Sequence, residues 1–434
     1  MLKKISGWGN NIKFYSNIFY PKNINELKKM IQNTCIARGM GRSYGDSAIQ
    51  PNCTISTSRM TKVIAFDKVK GIIEVESGIS IRFLLKHIVK TGWFLPVTPG
   101  SKDISIGGMI ASDVHGKNHH RVGNFKNFIL ELKLIDHNKK VLKCSRRKKS
   151  KLFNYTVGGM GLTGIIYSCR FKLKKINSNS LIRETIKNKN LKQTLDCINK
   201  SNQWEYNVAW IDTSARKNMI GRSILTRANF IKKGQTTEYY EKKTINLGII
   251  FNLIPSFFMN KYLIKILNEL YFNFHKSKTD TIDIDTFFYP LDSIKNWNKV
   301  YGNKGFISYQ CSVPEKNSYI KIKKILEKIQ ENQIFSFVSV LKSMGKSDKN
   351  ISFSQKGYTL VFDFPIYSNV YKVLKELDKL IKENKGKIYL CKDSRISKKD
   401  FIEINNEFKK EGFTSLRKKQ KFFFESVQSK RLGI

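Results

Sequence analysis

The sequence predicts an α+β protein of two closely joined domains, on three observations: chain length, glycine-punctuated strand patterns in the first third, and a change of texture near residue 174. At 434 residues the chain exceeds what one compact core organises and is long enough for two. Between residues 35 and 173, short alternating or apolar runs at 35–37, 71–76, 128–135 and 164–173 have the period-two pattern of strands. Helical spacing at 25–31 and 81–89 places helices against that sheet. Beyond Lys174, helix-spaced segments at 191–198, 261–274, 319–332 and 369–384 are separated by strand-like runs such as 306–313 and 358–364. A second α+β unit on an antiparallel sheet fits this texture, and the chain carries no internal repeat.

Hydrophobic residues make up 41% of the chain and aromatics 12%, with only 8 prolines, a composition that folds rather than stays disordered. Lys+Arg number 79 and Asp+Glu 34, a net charge of +45, and such a field attracts polyanions. Nucleic acid, an anionic membrane surface or a phosphorylated substrate would each answer to it. AT-rich coding, which over-uses Lys, Asn and Ile, accounts equally well for much of the excess, because the lysines are scattered. The local concentrations, Arg146-Arg147-Lys148-Lys149 and Arg417-Lys418-Lys419, read as solvated turns. No helix-turn-helix, zinc-finger, RRM or OB signature is present, so nucleic acid is not an expected partner.

Seven scattered cysteines without a C-x-x-C pair favour a reducing compartment without disulfides or structural zinc. The opening residues 1–9 lack the apolar stretch of a secretory signal, so a cytoplasmic location is expected. The most apolar stretch, residues 247–259, is broken by Asn252 and Pro255 and is too short to span a bilayer. It reads either as a buried helix or as an amphipathic segment at a membrane interface.

Two glycine-rich segments and one decoy carry the chemistry. Residues 159–164, Gly-Met-Gly-Leu-Thr-Gly, match G-x-G-x-x-G, yet a strand follows and no acid lies about 20 residues on, so the dinucleotide-fold reading fails. The loop at 39–45, containing Gly39, Gly41, Arg42, Ser43, Tyr44 and Gly45, follows a short strand. Its glycines let backbone N–H groups approach a diphosphate, although a tight turn explains it as well. Residues 99–120 hold Gly100, Gly107, Gly108, Ser112, His115, Gly116, Lys117, Asn118, His119 and His120, small residues against which a flat ring can lie. The three histidines suggest metal, but no carboxylate or cysteine completes a ligand spacing, so no metal is expected.

At these residues, together with 156–164, the chain resembles the FAD domain of vanillyl-alcohol-oxidase-type (PCMH-type) flavoenzymes. The segments 115–120, 209–212, 288–292, 309–310 and 392–395 narrow the resemblance to the decaprenylphosphoryl-β-D-ribose 2-oxidase family, from Gly7-Trp8-Gly9 nearly to the C-terminus. The resemblance implies an FAD-binding domain at 1–179, a substrate domain with an antiparallel sheet at 180–386, and a C-terminal segment at 387–434 returning to the first domain. It implies FAD contacts at Gly39, Gly41, Arg42, Ser43, Tyr44, Gly45, Gly100, Gly107, Gly108, Ser112, His115, Gly116, Asn118, Gly161, Ile165 and Lys392. His115, Lys117 and Lys392 would face the reaction, and Trp210, Tyr289, Gln310 and Lys342 the substrate. Oxidising a secondary alcohol needs a base for the hydroxyl proton while hydride leaves carbon, and Lys392 is the first candidate; a cation there could instead stabilise reduced flavin.

The chain also departs from the family pattern. Phe288 stands where a tyrosine is usual, with Tyr289 a partial substitute; Ser308 replaces a pocket glutamine; and Val361 stands where members carry a cysteine attacked by covalent inhibitors. The first loop offers no histidine, so non-covalent FAD is expected. The implied activity is oxidation of the ribose 2-hydroxyl of a polyprenyl-phosphate ribose. Its implied partners are a quinone-like acceptor, a short-chain reductase completing a ribose-to-arabinose epimerisation, and peripheral contact with the inner membrane face. The alternative is a soluble sugar-lactone or alditol oxidase such as a D-arabinono-1,4-lactone oxidase.

Overall fold

The computed structural model describes residues 2–246, 255, 258–347, 351–409 and 411–434. The apolar stretch at 247–254, read above as a buried or interfacial segment, lies outside the described residues apart from its continuation at Pro255, Phe258 and Met259.

The N-terminal third forms two sheets. β1 (Leu2–Ser6), β2 (Lys13–Phe19), β3 (Ile36–Arg38) and β4 (Thr54–Ser56) assemble in the order β1-β2-β4-β3, with β4 parallel to both β2 and β3. β5 (Val63–Asp67), β6 (Ile72–Glu76), β8 (Ile129–Ile135), β9 (Val141–Cys144) and β10 (Ile165–Lys172) form an antiparallel sheet ordered β5-β6-β10-β8-β9. Two residues of β7 (Trp93–Phe94) pair with β11 (Lys174–Lys175). The helix Ile81–Ile88 is capped by Ser80, whose Oγ accepts from the Phe83 N–H. It turns Ile81, Leu84, Leu85 and Ile88 inward, the i, i+3, i+4, i+7 stripe that buries one helix face.

The remaining strands build one large sheet: β12 (Ser180–Asn188), β13 (Tyr206–Ile211), β14 (Ser223–Phe230), β15 (Lys278–Asp283), β16 (Phe306–Pro314), β17 (Ser339–Met344), β18 (Gly357–Pro365) and β19 (Lys387–Ile388). The order is β15-β12-β14-β13-β17-β18-β16-β19, every pairing antiparallel. Strand alternation gives this sheet two different faces. Ile307, Tyr309, Cys311 and Val313 of β16, with Leu360 and Phe362 of β18, pack in one core beneath the helices Leu191–Asn199, Ser318–Glu331 and Val370–Glu383. The opposite face presents Ser308, Gln310 and Ser312 on β16 and Thr359 and Asp363 on β18, all buried. A buried polar face is costly unless partnered, and it is turned toward the N-terminal third.

An aromatic seam joins the sheets. Phe288 lies 5.0 Å from Phe94 and 4.9 Å from Tyr206, ring centre to centre. The last residues run back over the N-terminal sheets: Cys35 bridges Phe424 in parallel, and Arg431 pairs with both Asp46 and Asp393. The helices and strands expected from periodicity occur, with ends moved by one or two residues. One surface expectation is corrected: Arg417 is not in a solvated turn but within the helix Glu411–Lys419, where its side chain is buried with its guanidinium carbon 5.1 Å from the Phe422 ring centre. Arg146–Lys149 is exposed as expected, with Ser145 N–H bonded to the Lys148 carbonyl.

Candidate active site

Three chain segments line a cavity that opens to solvent on one side. The first is the loop after β3. Gly41 takes φ +66° there, and a Cβ on Gly45 would stand 2.1 Å from the Asp393 carbonyl oxygen, so only glycine allows that approach. The second is the helix Ile106–Ala111, whose cap Ser105 accepts from the Gly108 N–H at 3.2 Å; a Cβ on Gly107 would meet Ser77 at 2.8 Å. The third is the loop at 158–164, docked on that helix by Gly158 N–H to the Ile110 carbonyl and Met160 N–H to the Ala111 carbonyl. The G-x-G-x-x-G match therefore belongs to a loop that leads into β10, and it lines the cavity through Met160, Gly161 and Gly164.

The lining suits a flavin dinucleotide. Hydroxyls come from Ser43, Ser47, Thr57, Ser77, Ser105 and Ser112, a cation from Arg42, and among the described residues no carboxylate lines the wall to repel a diphosphate. Ser77 Oγ is buried without a partner among the described residues, and a buried hydroxyl left unpaired calls for a ligand acceptor or donor. Ala37, Ile104, Val114 and Ile166 supply apolar surface. Arg42 also borders a second cavity with Trp8, Arg82, Asp103, Asp292 and Trp297. Its guanidinium stacks 3.8 Å from the Trp8 ring centre and pairs with Asp103.

At one end of this cavity the polar sheet face meets the segment after β19. The Tyr389 N–H binds the Gln310 carbonyl, the Cys391 carbonyl accepts from Tyr44 N–H, and the Tyr389 hydroxyl donates to the Ser112 carbonyl at 2.8 Å. Lys392 is thereby held with its Nζ 4.2 Å from the Tyr44 ring centre, donating to Ser308 Oγ at 3.2 Å. Ser308 in turn donates to Asp363 Oδ1 at 2.5 Å, and Lys392 Nζ lies 3.9 Å from the same oxygen. Beside them Gln310 Nε2 donates to His115 Nε2 at 2.8 Å and to Thr359 Oγ1 at 3.1 Å.

Burial sets the charges. It pushes the Lys392 ammonium down from the usual lysine range, opposed by Asp363. It lowers Lys342 to about 8, helped by the charge of Lys392, and Lys117 to about 7, helped by Lys342 and Arg183. Burial and these lysines hold His115 well below its ordinary value, so it is a neutral imidazole accepting at Nε2, with Nδ1 as the N–H. Burial raises Asp363, against the pull of Lys392 and Ser308.

The structure brings Gly39, Gly41, Arg42, Ser43, Gly107, Gly108, Ser112 and Gly161 to the cavity wall, and groups Tyr44, His115, Gln310 and Lys392 at its end. Gly116 is tight against Asn118, whose Nδ2 donates to the Pro96 carbonyl while Oδ1 is buried without a partner among the described residues. Lys342 and Trp210 lie on the same face of the large sheet as Gln310, though the Trp210 indole N–H is spent on the Phe337 carbonyl. Lys117 donates to the Phe287 carbonyl and lies 4.3 Å from the Phe287 ring centre.

Other expected residues are not brought in. Ile165 packs in a small core with Leu27, Ile31 and Phe424, leaving Ile166 on the wall, because neighbours on a strand face opposite ways. Gly100 is exposed. Tyr289 does not replace the hydroxyl missing at Phe288: it is buried in the aromatic core, with its hydroxyl 2.7 Å from Thr98 Oγ1. Among the three clustered histidines, His119 Nδ1 accepts from Gly345 N–H and His120 faces Trp204 and Asn207. Ser77, Asp363 and Tyr389 were missed; only the odd polar residue in the apolar run Leu360–Phe364 signalled one of them, Asp363.

An FAD binding domain family profile matches residues 16–145. The chain is 28% identical over 417 residues to the decaprenylphosphoryl-beta-D-ribose oxidase of Mycolicibacterium smegmatis, covering 92% of this chain and 90% of that protein. A putative D-arabinono-1,4-lactone oxidase of Neurospora crassa is 29% identical over 160 residues, 35% of this chain and 28% of that one. The L-gulonolactone oxidase of Bos taurus is 26% identical over 184 residues, 39% of this chain and 41% of that one. The chain is therefore an FAD-dependent oxidoreductase acting on CH–OH groups, with a PCMH-type FAD-binding domain and with similarity to a decaprenylphosphoryl-ribose oxidase along nearly its whole length.

Proposed function

We propose that this enzyme oxidises the ribose 2-hydroxyl of a polyprenyl-phosphate ribose to the 2-keto sugar. The observation that carries the reading is that Lys392 and His115 meet Ser308, Gln310 and Asp363 of the polar sheet face at one end of the cavity. FAD, when bound, supplies the hydride acceptor. The work of the chain is to hold and move one proton. Lys392, deprived of water, reaches its neutral amine more readily than an exposed lysine and in that form accepts the hydroxyl proton. Ser308 and Asp363 receive a proton from its ammonium and so regenerate the amine. Neutral His115 orients a sugar hydroxyl without competing for protonation. Lys342 and Lys117, on the same side of the site, supply charge for a phosphodiester.

On this reading the enzyme is the oxidase half of a ribose-to-arabinose epimerase. A quinone-like acceptor takes the electrons, a short-chain reductase consumes the ketone, and the protein works on the inner membrane face as a peripheral protein. Among the described residues no helix is long and apolar enough to cross a membrane. Anaerobic bleaching of the yellow enzyme by a polyprenyl-phosphoribose, and not by free sugars, is the expected result. Lys392→Ala retaining FAD should lose this reduction, and full retention of the rate refutes the role of Lys392. The lactone-oxidase similarity favours a second reading, a soluble sugar-lactone or alditol oxidase, for which rapid peroxide formation from such a sugar is the mark. That similarity spans only about a third of the chain.

A further inference from the structure

The helix Lys261–Phe274 is built inside out. Its N-cap Asn260 accepts from the Tyr262 and Leu263 N–H groups, and Ile264, Asn268 and Phe272 are its buried residues. Asn268 is wholly buried, donating to Asp212 Oδ1 and to the Ser336 carbonyl. On the outer side, Tyr262, Ile266, Leu270 and Phe274 stand in solvent, with exposures of 68%, 56%, 45% and 79%, and Phe258 continues the row one step before the helix. Residues spaced by four form one ridge on a helix. Exposed apolar residues scattered singly need no explanation, but a contiguous ridge does. This ridge follows directly on the most apolar stretch of the sequence.

We infer that this ridge is the surface through which the protein lies on an anionic lipid layer. Between residues 258 and 278 there are four lysines, Lys261, Lys265, Lys276 and Lys278, against one acid, Glu269; Glu269 is paired with Arg222 and Lys278 with Asp280, so Lys261, Lys265 and Lys276 are the cations beside the ridge. An apolar ridge flanked by cations is the pattern of a helix in a membrane interface, where apolar burial and attraction to anionic headgroups add. The whole-chain charge of +45 acts in the same direction. It also opposes the rival occupant, a second copy, which would bring two equally positive bodies together. The inference deepens the proposed function, resting on its lipid-borne substrate for its purpose while its geometry is independent.

The test uses the full-length, FAD-loaded protein and flotation with phosphatidylcholine vesicles, with and without phosphatidylglycerol, at low and high salt. The wild type should float with the anionic vesicles and be released by salt. Ile266→Glu with Leu270→Glu should lower partitioning at least about tenfold, the scale of withdrawing one or two buried aliphatic side chains. FAD content and melting temperature should not change. Val69→Glu, at a still more exposed residue in the turn between β5 and β6, should float like the wild type. Three results overturn the inference: a wild type that does not float; a double variant that floats normally but melts lower, which puts the chain's own residues 247–254 on the ridge; and a wild-type dimer that the double variant dissolves. Bleaching by detergent-dispersed polyprenyl-phosphoribose should be equal in both proteins. Its failure in both sinks the substrate reading and leaves the flotation result standing.

Discussion

Lys117 offers a measurement of how strongly the site is desolvated. Its ammonium is lowered from 10.5 to about 7 by burial first and by Lys342 and Arg183 next. The folded state therefore disfavours the proton that the unfolded chain holds up to pH about 10.5. Between those two values the unfolded state binds more protons, so stability rises with pH. The cost of the buried lysine grows as pH falls from 10.5 and is complete below about 7. From pH about 9 down to pH about 6 the added cost is roughly two pK units, about 2–3 kcal/mol at 1.36 kcal/mol per unit. Lys117→Met removes this slope while keeping an apolar stem beside Phe287. Urea unfolding of wild type and variant at both pH values, at fixed FAD, gives a double difference in which other titrating groups cancel. Lys117→Met should gain about 2–3 kcal/mol more over the wild type at the lower pH. A double difference near zero, or of opposite sign, refutes the claim that Lys117 is desolvated in the fold.

Other outcomes follow from the same geometry. Asp363→Asn removes the carboxylate that raises Lys392, so the pH limb of flavin reduction should move to lower pH while FAD is retained; an unmoved limb dissociates Asp363 from Lys392. Gly45→Ala drives a Cβ to 2.1 Å from the Asp393 carbonyl and should cost about 1–3 kcal/mol in thermal unfolding with loss of FAD, as overpacking does. Ser77→Ala removes a buried hydroxyl that has no partner among the described residues, so FAD affinity should fall by roughly tenfold while the FAD-free protein melts no lower. Arg431→Ala strands Asp46 and Asp393, buried acids that it joins. It should destabilise by about 3–5 kcal/mol at neutral pH, as when one partner of a buried ion pair is removed.

Much of this was legible in the chain itself, because local pattern and glycine placement are local physics. Period-two runs located β6, β8, β10, β16 and β18, and helical spacing located Ile81–Ile88 and Val370–Glu383. The glycines at 39–45 and 107–108 marked where backbone must come close to another surface. Sequence could not tell which of two adjacent strand residues faces the cavity, so Ile165 was expected where Ile166 stands. Nor could it show that the hydroxyl of Tyr289 is spent on Thr98, or that Arg417 is buried in a helix. Asp363, Ser308 and Lys392 are brought together only by sheet register, because β16 pairs Ser308 with Asp363 and the segment after β19 swings Lys392 over both. A side chain's neighbours across a sheet depend on pairings between segments far apart in the chain, whereas the propensity to form each segment does not. The residues alone determined the elements and the cofactor's cradle; tertiary structure decided which charges share one desolvated space.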